Sequence, residues 1–327
     1  MRRFEYLVPA TLKEAVRFGA RPAAGLKAGG VDLLDRMKEG IERPALVVGL
    51  HGVLDGEVRF DEREGVRIGA GIRLADLARH PDIGKALPSL ARAAGETATP
   101  QVREMATLGG NLLQRPRCWY FRSRHYETLK NGGPVCYAHE GRNEYHALFD
   151  NRGCAAVHPS NVLPALVSLR ARAGVEGRGG RSEIPIDRLF TRASDNPKVE
   201  HVLKPGDVLT EILVPAESLG PRAAHYDIRQ KQSFDWPLAL AAVNLNGPRP
   251  LLVLGAVASV PLKVRGVKEI LALPEGGAAS AANLEMLAAA AVQGATPLSK
   301  NAWRLPLVKT AVRRAVLTAL NVPEEQW

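Results

Sequence analysis

Three cysteines in a chain of 327 residues are a small, odd number. They argue against a disulfide framework and leave metal ligation or buried free thiols open. Long apolar runs are missing too, since none approaches the roughly 20 residues that a membrane helix needs. The start, Met1-Arg2-Arg3-Phe4-Glu5-Tyr6, has two arginines with no apolar stretch behind them, so no secretory signal is expected. The expected location is cytoplasmic, or periplasmic if a signal-bearing partner carries the chain out. There are no repeats or low-complexity tracts. The net charge of +10 comes mostly from arginine spread along the chain, without the basic, aromatic-interleaved stripe of a nucleic-acid binder. A basic surface, part of it facing an acidic subunit or anionic phosphates, accounts for the charge. Neither a G-x-G-x-x-G fingerprint nor a P-loop is present.

What is present is an ordinary globular composition, 46% hydrophobic, in a chain long enough for two or three packed domains. The first segment reads strand, helix, strand, helix, strand. Phe4 to Val8 is extended, and Thr11 with Glu14 three residues on forms a capping-box pattern. Gly25-Leu26-Lys27 is extended again, Val31 opens a helix that ends near Gly40, and Pro44 to Val48 is a buried-type strand. A second segment holds a strand at Val66 to Gly71, helices opening at Leu74 and Leu87, and an apolar helix or strand from Val162 to Ala173. Gly177 to Ser182 reads as a turn or hairpin and Ser218 to Ala224 as a linker. The third segment has a buried strand at Leu251 to Val257. Its helices are Val264 to Leu273, Ala281 to Val292 and Leu305 to Leu320, with Pro306 suited to a first turn. Between Asn111 and His158 lies a long irregular stretch, the kind of loop that is usually functional or disordered.

Two glycine pairs can carry chemistry. Lys27-Ala28-Gly29-Gly30-Val31-Asp32-Leu33 places one between a strand and a helix start, where backbone N–H groups approach an anion and the helix dipole favours negative charge. Thr107-Leu108-Gly109-Gly110-Asn111 repeats the arrangement. Either one alone is more often a plain turn. In this order, they resemble the two flavin-binding signatures of the FAD-binding (medium) subunits of the xanthine dehydrogenase and carbon monoxide dehydrogenase family of molybdenum hydroxylases. The opening Phe4-Glu5-Tyr6, Pro9 to Ala15, Gln101-Val102-Arg103 and Gly255-Ala256-Val257-Ala258…Pro261 share the likeness, which covers almost the whole chain.

The resemblance implies an α+β protein, with a two-subdomain FAD-binding fold of the PCMH/vanillyl-alcohol-oxidase type followed by a C-terminal α+β domain. The divisions expected are 1–55, 56–220 with a cysteine-bearing loop at 112–158, and 221–327. FAD is the expected cofactor. Leu26, Lys27, Ala28, Gly29, Gly30, Val31, Asp32 and Leu33 would wrap its pyrophosphate, and Thr107, Gly109, Gly110 and Asn111 would complete the cradle. Relatives have a Ser-Asp-Leu contact where this chain reads Ser160-Asn161-Val162, so Asn161 is expected to keep an acceptor there without the charge. Arg229, in Tyr226-Asp227-Ile228-Arg229-Gln230-Lys231, lies where relatives carry a cation near the flavin. The alternative for it is a solvated surface charge.

Cys118, Cys136 and Cys154 are evenly spaced and fall in the one irregular loop, a poor place for buried hydrophobes. Cysteine thiolates are the usual holders of iron–sulfur clusters. The loop looks like the insertion of a subset of these subunits, in 4-hydroxybenzoyl-CoA reductase and periplasmic aldehyde oxidoreductases, which carries a [4Fe–4S] cluster on four cysteines. This chain has Thr128 where the fourth would stand. An iron–sulfur cluster on the three cysteines is expected, either [3Fe–4S] or [4Fe–4S] with a non-cysteine ligand such as His125, His139 or His146. A decayed, purely structural loop is the alternative. Zinc suits Cys₃His sets, but these gaps are wider than its usual paired spacing.

The implied function is electron transfer, with substrate chemistry on a large molybdopterin-cofactor subunit and a small 2×[2Fe–2S] subunit between it and FAD. The final acceptor (NAD⁺, a quinone, ferredoxin or oxygen) stays open. The rivals are a free-standing flavin oxidase of the same fold class and a binding module whose glycine pairs are mere turns.

Overall fold

The computed structural model describes residues 1–230, 235–272 and 279–327. The opening run forms β1 (Glu5–Leu7), α1 (Leu12–Gly19), β2 (Ala24–Lys27), α2 (Val31–Lys38) and β3 (Leu46–Gly49). These strands make a parallel sheet in the order β1-β3-β2. The middle strand, β3, is buried along its length, which is why it reads as an unbroken apolar run. Thr11 caps α1 by accepting from the Glu14 N–H. The returning Glu14 carboxylate takes the Ala10 N–H at 2.9 Å, one residue earlier than a strict capping box.

The second sheet is antiparallel, in the order β4-β5-β8-β6-β7. Its strands are β4 (Val58–Asp61), β5 (Gly65–Gly69), β6 (Arg172–Gly177), β7 (Gly180–Pro185) and β8 (Val208–Val214). The central β8 goes unannounced in the sequence, because Thr210 and Glu211 interrupt its apolar pattern. Around the sheet lie α3 (Leu74–Arg79), α4 (Pro81–Ala86), α5 (Pro88–Gly95), α6 (Pro100–Arg103), α7 (Leu108–Leu112), α8 (Val162–Ser168) and α9 (Ile186–Leu189). Helices α4, α5 and α6 each begin on a proline, whose fixed φ and missing N–H suit a first turn. The open choice for Val162 to Ala173 resolves into both forms. Every residue of α8 is buried, and a left-handed residue at Arg170 (φ 56) then turns the chain into β6.

The third sheet follows chain order, antiparallel throughout: β9 (Ala223–Ile228), β10 (Ala239–Asn244), β11 (Leu251–Gly255) and β12 (Leu262–Lys263). With it come α10 (Val267–Leu271), α11 (Ala281–Val292) and α12 (Leu305–Ala319), which has Pro306 in its first turn. The expected helix end at Leu273 lies outside the described residues, as does Lys231. Helix α12 packs across β9 and β10, while α5 reaches β9 from the middle sheet's side. Ser218 to Ala224 is not a loose linker. Ser218 is the buried end of a 3₁₀ turn, and Ala223 and Ala224 already belong to β9.

Between α7 and α8 the chain runs without regular structure except a single 3₁₀ turn, Leu129–Asn131. Buried asparagines pin this loop to the connection between α11 and α12. Asn143 donates to Ser299 Oγ (3.1 Å) and accepts from the Lys300 N–H (2.9 Å). Asn151 donates to the Thr296 carbonyl (2.6 Å), and Asn301 to that of His146 (3.1 Å).

Candidate functional site

A cavity of about 400 Å³ opens between the first two sheets, within the range of small-molecule sites. All eight residues from Leu26 to Leu33 line it, together with Thr107, Gly109, Gly110 and Asn111. The two glycine motifs thus meet, and the contact is backbone on backbone. A Cβ on Gly29 would overlap the Met105 carbonyl oxygen, just before α7. Gly30 is left-handed (φ 80) and supplies no side-chain cap to α2. The first-turn N–H groups of that helix therefore keep the positive end of the dipole available to an anion.

The second motif contributes shape more than donors. Thr107 Oγ accepts the Gly110 N–H (3.1 Å), and the N–H groups of Gly109 and Asn111 bond to the carbonyls of Ala70 and Thr107. Gly110 itself stays exposed, a flat wall where its only close Cβ neighbour would be the Thr107 hydroxyl. Asn111 is buried, and its Oδ1 accepts from Ser160 Oγ at 2.6 Å.

Two expected residues are not on the cavity wall. Asn161 is buried at the start of α8 and makes no cap bond. It is the neighbouring Ser160 that joins this turn to the second motif. Arg229 is neither cavity-lining nor a solvated charge. Its side chain is 3% exposed and is clamped on Asp227, with Nε 3.0 Å from both carboxylate oxygens. Burial would push the Asp227 carboxyl up, but His225 and Arg229 outweigh it and hold the group below the usual range. Arg229 lies one layer behind the cavity, near Arg103, whose guanidinium donates to the carbonyls of the wall residues Thr97 (3.0 Å) and Ala98 (2.7 Å).

Behind that wall, the fully buried His225 has Nε2 3.6 Å from Asp227 and 3.8 Å from Glu96. Among the described residues this is the one set of His, Cys, Asp and Glu whose ligand atoms all fall within 4.8 Å. Arg229 on Asp227 and Arg92 on Glu96 (2.9 Å) already balance both carboxylates. A divalent cation would add uncompensated buried charge, so the set reads as an ion-pair cluster.

Asp32 belongs to the cavity lining, yet its carboxylate serves the cysteine loop. It accepts from Arg36 Nε (2.9 Å), Arg122 Nη2 (2.6 Å) and the Arg115 N–H (3.1 Å), with Arg117 Nη2 at 3.4 Å. Burial opposes ionisation, but the Arg36 and Arg122 guanidiniums win and hold its pKa below the ordinary value. Farther out, Glu200 pairs with Arg115 (3.0 Å) and Lys130 (2.9 Å). Sequence reasoning missed this network. The arginines around Cys118 were visible, but their carboxylate partner lies far off in the chain.

Cys118, Cys136 and Cys154 line one pocket with Thr128 and Lys130. Backbone N–H groups point at all three sulfurs: Tyr120 and Phe121 at Cys118, Ala155 and Ala138 at Cys136, and Ala156 at Cys154. Burial pushes the Cys118 thiol up to about 11. The Cys154 thiol donates to Cys136, which lowers Cys136 to about 5 and raises Cys154. Only about 10 Å³ remains between the side chains, so a cluster would take the space the thiols fill by bonding to one another. The three sulfurs are not mutually within the 4.8 Å that one metal ion spans, which disfavours mononuclear zinc. Of the candidate histidines, His146 Nε2 is 3.2 Å from Cys118 Sγ, His139 stands near Cys136, and His125 is exposed.

Residues 2–217 match the family described as the FAD binding domain in molybdopterin dehydrogenase. Over 269 residues the chain is 32% identical to the aldehyde oxidoreductase FAD-binding subunit PaoB of Escherichia coli (strain K12), which covers 81% of this chain and 84% of that protein. The carbon monoxide dehydrogenase medium chain of Hydrogenophaga pseudoflava is 29% identical over 244 residues, 74% of this chain and 68% of its own. In three dimensions the chain superposes on carbon monoxide dehydrogenase from Hydrogenophaga pseudoflava with a TM-score of 0.74, over 98% of each chain at 24% identity. That last likeness speaks for the fold alone.

Proposed function

Because the chain belongs to the family of FAD-binding subunits of molybdenum hydroxylases, we propose that its glycine-lined cavity carries FAD for electron transfer within a heteromeric oxidoreductase. The observation that carries this reading is the packing of Gly29 against Met105, which joins the two glycine motifs in one cradle. The residues present fit the cofactor. Leu26 to Leu33 follow its pyrophosphate along one side, with the uncapped first turn of α2 facing the negative charge. Thr107, Gly109, Gly110 and Asn111 form the other side. Asn161 and Arg229 stand off the cavity lining, Asn161 next to Ser160 in the chain and Arg229 in its ion pair with Asp227. When bound, FAD supplies reversible electron storage; this chain positions it and sets the surrounding charge.

In the same reading, Cys118, Cys136 and Cys154 hold an iron–sulfur cluster. Its support is the convergence of three thiols on one pocket where backbone N–H groups point at the sulfurs, the kind of hydrogen bonding that tunes clusters. Substrate conversion falls to a large molybdopterin-cofactor subunit, and a small 2×[2Fe–2S] subunit feeds this chain. The names of two relatives, one an FAD-binding subunit and one a medium chain, support that division. A free-standing oxidase would need an acid or base at the cavity. The cavity carboxylates Asp32 and Asp35 are instead tied to Arg36, Arg117 and Arg122. No helix among the described residues is long and apolar enough to cross a membrane.

Absorbance of the purified chain tests the reading. Flavin bands with stoichiometric FAD are expected, and a colourless protein that ignores added FAD would sink it. Co-purification with a large and a small subunit separates it from the oxidase.

A further inference from the structure

Thr128 lines the cysteine pocket and is almost fully buried, and its Oγ has no hydrogen-bond partner. An unpaired buried hydroxyl costs on the order of 1–3 kcal/mol, and an easy partner was at hand. Thr128 occupies the N-cap position of the 3₁₀ turn Leu129–Asn131, where threonine normally accepts a backbone N–H, but it makes no such bond. The backbone holds it firmly in place. The Thr128 carbonyl accepts from the N–H groups of Asn131 (2.9 Å) and Gly133 (2.8 Å), and the Leu129 N–H bonds to the Val135 carbonyl (3.0 Å), one residue before Cys136. A Cβ on Gly133 would overlap the Glu127 carbonyl oxygen, so this tight return is built for glycine.

We propose that Thr128 is the fourth ligand position of the iron–sulfur site, so that one corner iron is held by a hydroxyl oxygen while Cys118, Cys136 and Cys154 hold the other three. This inference rests on the cluster reading above and deepens it. The charge of the pocket agrees. Lys130 is the cation among the lining residues, and Glu200 already shares it at 2.9 Å. A neutral hydroxyl in place of a fourth thiolate removes one buried negative charge that nothing in the lining would balance. The rival histidines fit less well, because neither His146 nor His139 is part of the pocket lining and His125 is exposed. Oxygen binds cluster iron more weakly than thiolate does, so the Thr128 corner is the exchangeable one.

The test compares the full-length wild-type chain with Thr128→Cys and Thr128→Val, each reconstituted anaerobically with ferric iron, dithiothreitol as reductant, and sulfide. After treatment with EDTA, wild type should keep about three irons per chain and Thr128→Cys about four. Before EDTA, excess ferrous iron should add a fourth iron to wild type and not to Thr128→Val, a near-isosteric change whose retained flavin bands report correct folding. After one-electron oxidation with ferricyanide, EPR should show a three-iron cluster in EDTA-treated wild type, and the Thr128→Cys cluster should have the lower reduction potential because of its added negative charge. Four EDTA-resistant irons in wild type would overturn the proposal, as would fourth-iron uptake by Thr128→Val equal to that of wild type. If Thr128→Cys stops at three, the position is not a ligand site and the proposal also fails. Iron and sulfide absent from all three chains would retire the cluster reading itself.

Discussion

A methyl group on Gly29 would overlap the Met105 carbonyl oxygen, a backbone atom with no rotamer to escape into. Relief requires the two motifs to move apart, and overpacking of this kind costs about 1–3 kcal/mol. Gly29→Ala is therefore expected to weaken FAD binding roughly five- to hundredfold in a calorimetric titration. Gly84→Ala, on α4 and outside the cavity lining, meets nothing within 4 Å and should bind as wild type does, so equal affinities for both variants would refute the cradle. His158 sets a pH dependence at the same scale. Complete burial pushes its pKa from 6.5 down to about 3, and Nδ1 accepts from the Ser160 N–H at 3.2 Å. The folded value is the depressed one, so in that window the unfolded chain binds the extra proton. Its contribution is present above the ordinary histidine pKa and is lost as pH falls from about 6.5 toward 3. Near pH 5 the loss should be about 2 kcal/mol. Urea midpoints at several pH values, with His158→Gln flattening the slope, check this.

At the scale of elements, the cysteine loop owes its order to partners rather than to any pattern of its own. Asp32 on α2 gathers Arg36, Arg115, Arg117 and Arg122, so the helix that opens the flavin cradle also fastens the segment around Cys118. Each of these arginines keeps a second carboxylate (Glu42 for Arg36, Glu200 for Arg115, Asp35 for Arg117, Glu39 for Arg122), so removing the shared Asp32 charge should cost about 3 kcal/mol, the low end for a broken buried pair. Asp32→Asn should lower stability by about that amount and expose the loop to trypsin at Arg124, which is already exposed. Asp35→Asn removes a carboxylate that is 44% exposed and should cost under about 1 kcal/mol. Unchanged proteolysis of Asp32→Asn would mean that the loop is held from elsewhere. The spacing of glycines and helix starts made the cradle legible in the sequence, since those signals are local. The arginine network was not, because its partners meet only after α2 and the loop dock.

Across the whole molecule, Arg304 ties the C-terminal helix to both the third sheet and the loop. Its guanidinium, 1% exposed, donates to the carbonyls of Leu238 (2.6 and 2.9 Å), His146 (2.6 Å) and Ala256 (2.5 Å). Arg304→Met would fill part of the volume, leave the Leu238 and Ala256 carbonyls without the guanidinium and leave that of His146 with Asn301 alone, at about 1–3 kcal/mol for each unpaired carbonyl before relaxation. A fall of roughly 3 kcal/mol in denaturant stability is expected, with faster hydrogen exchange around His146. Exchange confined to α12 would show that the loop does not depend on this anchor.

The sequence alone determined the two glycine motifs, the strand–helix alternation of the first sheet and the last two helices. All of these are written in short-range spacing, where turn chemistry and periodicity act within a few residues. Only the tertiary structure decided that Gly29 meets Met105, that Ser160 rather than Asn161 bonds the second motif, and that Arg229 is spent on Asp227 behind the wall. It also set Thr128 facing three cysteines with its hydroxyl unpaired. These outcomes depend on which distant groups share one buried space, and there the cost of leaving a charge or hydrogen bond unmatched decides among arrangements that local pattern leaves equal.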